Sequence, residues 1–259
     1  MVDDAPSGGC HGFRCLDRDV CVTYCEQSKS ATRAHESDSC EKVAADERAS
    51  FRYRNSRGEL LLLSTDEAQE LMRCTFTSKL VFQSSAMLHN YAFWGFADCV
   101  VDGFEHIPAQ EVCFSEVSRK VAIGHATALA EYEENPLGLF AVEDISSLTF
   151  LGEYTGVLQV RNDSANTFDP YGVSYPSVYQ HGDLYVSASE YGNIIRCINH
   201  SFAPNACFVP MIQDGILHIF CVRAGAPFTI REIRAGEQVF VNYGPAYWKS
   251  TGIEPVAVQ

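Results

Sequence analysis

The stretch that most constrains the fold of this chain runs from Arg196 to Ala206, where apolar isoleucines lead into the polar triplet Asn199-His200-Ser201. The Pro204-Asn205 pair that follows predicts a turn, because proline holds φ at about −65° and asparagine tolerates turn conformations. A companion stretch at 236–244 reads Gly-Glu-Gln-Val-Phe-Val-Asn-Tyr-Gly. Either stretch alone would fit an ordinary strand end and turn. Together, in this order and at this distance, they restrict the fold far more strongly.

The two stretches resemble the paired motifs of the SET-domain protein lysine methyltransferases, Arg-x-x-Asn-His-Ser-x-x-Pro-Asn and Gly-Glu-x-hydrophobic-x-x-(Asp/Asn)-Tyr-Gly. The resemblance covers residues 115–248 and includes Gly138-Leu139-x-Ala141 and the Glu-Tyr-x-Gly pattern at 153–156. Pro136 stands where the family has the first glycine of its opening motif. The resemblance implies a mostly β (α+β) fold of small curved sheets, in which the C-terminal strand is threaded beneath the Asn-His-Ser loop. An α/β extension is expected before it.

The resemblance also implies a function, the transfer of methyl groups from S-adenosylmethionine to the ε-amine of a lysine in a protein. A histone tail is the first expectation for the substrate. By its place in the second motif, Tyr243 is expected to be the catalytic tyrosine. The residues expected to bind the methyl donor are Leu137, Gly138, Tyr154, Arg196, Asn199 and His200. Val241, two residues before Tyr243, is expected to line the lysine pocket and to permit more than one methyl group, or else simply to pack in the last strand.

Methyl transfer to lysine needs a bound donor, an amine delivered in line and loss of the amine's proton. With an unperturbed pKa of about 10.4, only about one lysine in a thousand is neutral near pH 7.4, an obstacle of roughly 4 kcal/mol. A narrow apolar channel lowers that pKa because it disfavours the ammonium form. Aromatic walls and a tyrosine hydroxyl near the reacting centre are therefore the side chains that such a site requires.

Charge and apolar content exclude several other classes of function. The formal net charge is −14, and residues 131–250 hold thirteen acidic against six basic residues, which disfavours direct binding to nucleic acid and favours a basic protein partner. The most apolar stretch, 80–101, is interrupted by polar residues, so no membrane span is expected. With no secretory signal and an odd count of eleven cysteines, the sequence predicts an intracellular protein, nuclear or cytoplasmic.

The sequence divides into a flexible, cysteine-containing arm at 1–50, an N-terminal extension at 51–114, the SET-like region at 115–248 and a short tail at 249–259. In the extension, two short strands are predicted around the turn at 55–58, followed by a helix that Ser64 and Glu67 begin with a capping box. The tail has no cysteine and Phe202 stands where zinc-binding relatives have one, so no metal site is expected there.

Two alternatives stay open at the level of the sequence. Pro136 and the missing zinc-bound tail are also compatible with a SET-like binding or scaffold module that does not catalyse methyl transfer. Separately, five cysteines lie in the first fifty residues, at positions 10, 15, 21, 25 and 40, with histidines nearby. These are ligands that zinc prefers, but their spacings lack the Cys-x2-Cys pairs of common zinc modules.

Overall fold

The structure is a computed structural model that describes residues 11–15, 20–25, 30–32, 51–83, 117, 119–127, 136–146, 149–161, 168–175, 184–213, 216–222 and 232–251. Before residue 51, and at 211–213, 216 and 222, only the backbone is described. The strands are β1 (His11–Cys15), β2 (Val20–Cys25), β3 (Ser30–Thr32), β4 (Phe51–Arg54), β5 (Leu60–Leu63), β6 (Thr75–Phe76), β7 (Val81–Phe82), β8 (Val121–His125), β9 (Leu137–Ala141), β10 (Phe150–Glu153), β11 (Val157–Val160), β12 (Gly172–Tyr175), β13 (Leu184–Ser187), β14 (Tyr191–Gly192), β15 (Asn199–His200), β16 (Cys207–Gln213), β17 (Ile216–Val222) and β18 (Phe240–Val241). The capped helix spans Thr65–Met72, a 3-10 turn spans Ile194–Cys197, and the last helix spans Pro245–Thr251.

The N-terminal extension contains the predicted hairpin and helix. Strands β4 and β5 pair antiparallel around a turn in which Gly58 has a φ of 81°, a left-handed conformation that favours glycine. Ser64 begins the capped helix: its hydroxyl accepts from the Glu67 N–H, and the Glu67 carboxylate accepts from the Ser64 N–H at 2.8 Å. Arg73 ends the helix in the left-handed conformation. Both local predictions are therefore confirmed.

The strands among the described residues form small open sheets. One sheet has the order β5-β4-β8-β9 and a second has the order β10-β17-β16. A third has the order β12-β13-β11-β7-β1-β2-β3. Two helices and eighteen strands among the described residues confirm the predicted fold class, mostly β with some α. The sequence predicts a strand at 117–123, and the observed strand β8 lies a few residues later, at Val121–His125. Beyond β7, the apolar stretch 84–96 lies outside the described residues.

Three of the strands in the large sheet come from residues 1–50, which the sequence analysis treats as an arm. Strand β1 pairs parallel with β7, and β2 and β3 continue the sheet by antiparallel pairing. Backbone pairing thus attaches this part of the chain to the sheet that also contains β11 and β13. The domain boundaries themselves stay a prediction.

The final strand lies between two other parts of the chain. On one side the Val239 N–H donates to the Leu139 carbonyl at 2.7 Å, next to an isolated bridge between Phe140 and Gln238. On the other side β18 pairs parallel with β15, and the Ser201 N–H donates to the Val241 carbonyl at 3.0 Å. The strand thus connects β9 to the Asn-His-Ser loop, as the threaded arrangement predicted from the sequence requires.

Candidate active site

Tyr243 follows the final strand and is tied to the Asn-His-Ser loop twice. Its hydroxyl donates to the Ile198 carbonyl at 2.6 Å, and its backbone N–H donates to His200 Nδ1 at 3.1 Å. Its ring packs against Tyr247 at 4.6 Å between centroids. The phenol is therefore held in one orientation, half-buried in an aromatic surrounding.

His200 is buried among aromatic rings, with 5% of its surface exposed. Phe202 and Trp248 lie edge-on to it, at 4.8 Å and 4.9 Å between centroids. Burial lowers the pKa of His200, so the imidazole is neutral near pH 7. Because Nδ1 accepts from the Tyr243 N–H, the proton resides on Nε2, and the described part of the chain offers this buried Nε2 no hydrogen-bond partner.

Leu137 and Gly138 on β9 lie next to the first motif. The Asn199 side-chain amide donates to the Leu137 carbonyl at 2.9 Å, which joins the loop to β9. A Cβ atom added at Gly138 would lie 2.5 Å from Gln238 Nε2 and 2.9 Å from the Phe140 ring, so a larger residue here would force these two side chains to move. Gln238 Nε2 is itself buried, with no hydrogen-bond partner in the part of the chain that the structure describes.

The unpaired groups around this cluster have one chemical property in common. His200 Nε2, Gln238 Nε2 and Trp248 Nε1 are all N–H groups that are buried and find no acceptor among the described residues. Buried donors left unpaired cost about 1–3 kcal/mol each, so a bound molecule that offers acceptors would be favoured here. S-adenosylmethionine offers a carboxylate, ribose hydroxyls and adenine nitrogens. The residues present therefore fit the methyl donor that the sequence predicts.

Tyr154 and Arg196 form a second cluster, around Tyr171. The Tyr154 hydroxyl donates to the Tyr171 carbonyl at 2.7 Å, and Arg196 Cζ lies 3.6 Å from the centre of the Tyr171 ring. Burial, and then the nearby Tyr243 hydroxyl, raise the pKa of Tyr154 well above its usual value, so the phenol stays protonated and donates. The residues predicted to bind the methyl donor therefore fall into two groups. Leu137, Gly138, Asn199 and His200 belong to the first cluster. Tyr154 and Arg196 instead contact the 168–171 segment.

The last helix covers the site from a third side. Tyr247 packs edge-on against Phe168 at 5.1 Å, and its hydroxyl donates to the Pro170 carbonyl at 3.5 Å. Trp248 packs against His200 at 4.9 Å. The last helix thus packs on the site through aromatic side chains. Phe202, at the place of the zinc-binding cysteine, packs on His200.

Sequence reasoning missed Gln238 and Trp248, although both lie in or near a quoted motif. Gln238 occupies a variable position of the Gly-Glu-x motif, so no pattern distinguishes it, and only the packing against Gly138 reveals it. Val241 is buried in the core with 1% of its surface exposed, which agrees with the packing role left open for it.

The described residues can be set against the requirements of a metal site and of a membrane-spanning helix. Among them, no group of three or more His, Cys, Asp or Glu side chains could hold a metal ion. Cys10 and Cys40 lie outside the described residues, as do the side chains of the other three N-terminal cysteines. No helix in the described part of the chain is long and apolar enough to cross a membrane.

Comparison with known proteins agrees with this geometry. The SET domain family matches residues 137–244. Histone-lysine N-methyltransferase EZH2 of Chaetomium thermophilum is 33% identical over 149 residues, which are 52% of this chain and 9% of that protein. Histone-lysine N-methyltransferase MEDEA of Arabidopsis thaliana is 31% identical over 148 residues, 54% of this chain and 19% of that protein. The chain thus spans less than a fifth of the length of either relative.

A solved structure supports the fold independently of these sequences. The crystal structure of ATXR5 in complex with histone H3.1 superimposes with a TM-score of 0.51 at 19% identity, covering 69% of this chain and 85% of that one. At that identity the likeness concerns the fold. The paired motifs, the strand between β9 and the Asn-His-Ser loop and the family match agree, and residues 137–244 of this chain carry a SET domain.

Proposed function

We propose that this protein transfers methyl groups from S-adenosylmethionine to the ε-amine of a lysine in a basic protein. The observation that carries the proposal is the position of Tyr243, whose phenol and backbone are both held by the Asn-His-Ser loop. The loop in turn is joined to β9 by Asn199. Tyr243 thus lies beside the buried N–H groups, unpaired among the described residues, that fit S-adenosylmethionine.

In this proposal the chain's residues divide the task of binding. Leu137, Gly138, Asn199 and His200 hold the methyl donor, and the unpaired N–H of Gln238 adds a contact that the sequence did not predict. S-adenosylmethionine supplies the methyl group as an electrophile. Tyr243 orients the lysine amine through its hydroxyl, with Tyr247 and Tyr171 as the neighbouring aromatic walls. Enclosure between these rings would remove water from the lysine amine, and this desolvation disfavours the ammonium form and lowers its pKa.

The substrate class follows from charge. Acidic residues outnumber basic ones by about two to one over 131–250, so a peptide rich in lysine and arginine would be attracted to this region. Two relatives are called histone-lysine N-methyltransferases, and ATXR5 is seen with histone H3.1, which supports a histone tail as the substrate. A nuclear location would accompany such a substrate.

The test is methyl transfer with radiolabelled S-adenosylmethionine over core histones and a panel of lysine-rich peptides, followed by mass spectrometry of the labelled product. Label on a lysine side chain that is lost in Tyr243→Phe supports the proposal. Donor binding by calorimetry, measured on the same preparation, separates an inactive protein from one that is unfolded.

A second candidate is a SET-like binding module without catalysis, and one observation favours it. Pro136 replaces the first glycine of the opening motif, is buried, and uses its carbonyl to accept from the Ala126 N–H at 2.9 Å. Proline has no N–H to offer a ligand. Tight binding of donor and peptide with no labelled lysine on any substrate would favour this candidate over the enzyme.

A further inference from the structure

Arg196 is a buried cation whose charge is not matched by a carboxylate. Only 7% of its surface is exposed, and the described part of the chain provides no ion pair for it. Burying an unpaired charge is costly, so the position must be stabilised by other contacts. Gly192 makes room for the side chain, because a Cβ there would lie 3.1 Å from Arg196 Cδ.

The contacts of the guanidinium lie on two sides. At one end Nη1 donates to the Met72 carbonyl at 2.5 Å, in the last turn of the capped helix, where carbonyls lack helical partners. Its flat face lies against the Tyr171 ring, at 3.6 Å from Cζ to the ring centre. Arg196 thus joins the N-terminal helix to an aromatic residue of the 168–171 segment.

Tyr171 has a fixed backbone and a partly exposed ring. Its N–H donates to Asp169 Oδ1 at 2.8 Å, and its carbonyl accepts from Tyr154 at 2.7 Å and from Ala188 N at 3.1 Å. These bonds hold the Tyr171 backbone, and the Arg196 guanidinium lies over its ring. With 38% of its surface exposed, the Tyr171 side chain has contact area left for a ligand.

Tyr171 also lies on the side of the site where Tyr243 is found. The segment 168–171 touches the last helix through Phe168 and Pro170, and Tyr247 of that helix packs on Tyr243. The Tyr154 phenol, bonded to Tyr171, is close enough to Tyr243 to interact electrostatically with it. An object bound against Tyr171 would therefore be next to the proposed reacting centre.

A purely structural arginine is the simplest alternative. Such an arginine would donate to the Met72 carbonyl beside the Cys74 thiol, with its Nε buried and unpaired among the described residues, and a lysine ammonium could replace the bond to Met72. The face-to-face contact is different, because only a planar guanidinium both stacks on an aromatic ring and donates hydrogen bonds at its edge. The geometry therefore favours a role that depends on the Tyr171 ring.

We infer that Arg196 is a positioning residue for the lysine-bearing substrate. Arg196 holds the Tyr171 ring as a wall of the substrate groove and does not bind the methyl donor. The inference rests on the proposed function and changes the role that the motif suggested for Arg196. Its contacts to Met72 and Tyr171 make the capped helix the support of that wall. The Asn199, His200 and Gln238 cluster is left to hold the donor.

A double-mutant cycle of Arg196→Lys and Tyr171→Leu tests this inference on the full chain. Each single variant should lower kcat/KM for a lysine-rich histone peptide roughly tenfold, since a desolvated cation–π contact has that order of effect. In the Tyr171→Leu background, Arg196→Lys should have almost no further effect, because the ring through which it acts is gone. Affinity for S-adenosylmethionine should change less than about twofold in all variants.

Arg161→Lys is the matched control, because Arg161 also faces a tyrosine, Tyr185, but at 5.6 Å and on the exposed surface. Arg161→Lys should leave both kcat/KM for the peptide and the affinity for S-adenosylmethionine unchanged. Additive effects in the cycle, or a loss of donor affinity in Arg196→Lys equal to its loss of kcat/KM, would overturn the inference.

Two measurements keep the test independent of folding and of the proposed function. If Arg196→Lys does not fold, Tyr171→Phe should retain more kcat/KM than Tyr171→Leu, and equal losses would count against the inference. If the wild type transfers no methyl group, the proposed function fails. In that case the same double-mutant cycle is measured on the affinity for the peptide by fluorescence anisotropy. Non-additive effects would still support the positioning role of Arg196, and additive effects would still reject it.

Discussion

The environment of Tyr243 combines a short hydrogen bond with an incomplete apolar enclosure. The hydroxyl is paired with a backbone carbonyl, so it donates its own proton there and keeps its lone pairs available to a neighbouring amine. The ring is fixed by Tyr247 and by the contact with His200 at 5.4 Å. A phenol held in this way can orient a nucleophile without itself changing protonation.

Replacing Tyr243 by phenylalanine should lower the turnover of a lysine peptide by orders of magnitude and leave the affinity for S-adenosylmethionine nearly unchanged. The reason is that a group acting on the transition state contributes little to binding of the ground state. The lost bond to Ile198 should cost about 1 kcal/mol of stability. Steady-state kinetics and calorimetry measure the two quantities.

Tyr185→Phe is the control for this change, because its hydroxyl bonds to Gln159 at 2.8 Å on a strand pair away from Tyr243. It should keep normal turnover. Near-normal turnover in Tyr243→Phe would remove Tyr243 from the proposed mechanism.

His200 should make the folded protein sensitive to acid. Burial lowers its pKa below the ordinary 6.5, so the unfolded chain binds this proton more readily than the folded one. The stability contributed by the neutral ring is complete above pH 6.5 and is lost as the pH falls toward the lower, folded pKa. Melting temperatures measured across this range should decline less steeply in His200→Gln than in the wild type. Parallel curves for the two proteins would contradict this assignment.

At the scale of elements, the final strand is the part of the fold on which the site depends. It has two residues of regular pairing, yet it connects β9 to the loop at 198–206, and Tyr243 follows it. Asn205 is the main side-chain fastening: its amide donates to the Gln238 carbonyl at 2.9 Å, and its oxygen accepts from the Phe240 N–H at 2.7 Å. This explains why the motif ends in Pro-Asn, because a turn there brings the amide to the strand.

Asn205→Ala should therefore destabilise the protein by about 3 kcal/mol, since one backbone N–H and one carbonyl lose their buried partner. Donor affinity should fall with it, because Gln238 and Tyr243 belong to the released strand. Urea unfolding and calorimetry measure both effects.

Asn205→Asp keeps the acceptor for Phe240 but places a buried carboxylate oxygen against the Gln238 carbonyl, so its loss of stability near pH 7 should be at least as large as that of Asn205→Ala. A loss below about 0.5 kcal/mol in Asn205→Ala would mean that the strand is held by its backbone bonds alone.

At the scale of the whole molecule, the protein and its expected substrate, a basic peptide, carry opposite charges. A net charge of −14 attracts basic peptides over long distances. The donor cluster, by contrast, is built from neutral groups, because His200 is neutral and the other unpaired donors are an amide and an indole. Peptide binding and donor binding should therefore respond differently to salt.

Raising the salt concentration from about 0.01 M to about 0.15 M shortens the Debye length from about 30 Å to about 8 Å. The KM for a lysine-rich peptide should rise severalfold over that range, whereas the affinity for S-adenosylmethionine should change little. A peptide with its flanking lysines and arginines replaced by serine is the control and should show a weak dependence. Equal salt dependence for both peptides would indicate that the acidic surface does not recruit the substrate.

The sequence alone was sufficient where structure depends on neighbouring residues. The capping box of Ser64 and Glu67 joins positions three apart, and the hairpin turn at Asn55 and Gly58 closes within four residues. The paired motifs were sufficient for the fold class as well, because they bring the Asn-His-Ser loop and the final strand together. Such features follow from short-range hydrogen bonding and from a recurrent topology.

The division of the site was decided only by the tertiary structure. Arg196 and Asn199 are three residues apart in one motif, yet the 3-10 turn directs Arg196 to Met72, 124 residues away in sequence, and Asn199 to Leu137. The unpaired amide of Gln238 is likewise evident only where it packs over Gly138. A motif determines which residues are present, but the direction of each side chain is set by packing between distant segments, and that packing cannot be read from local spacing.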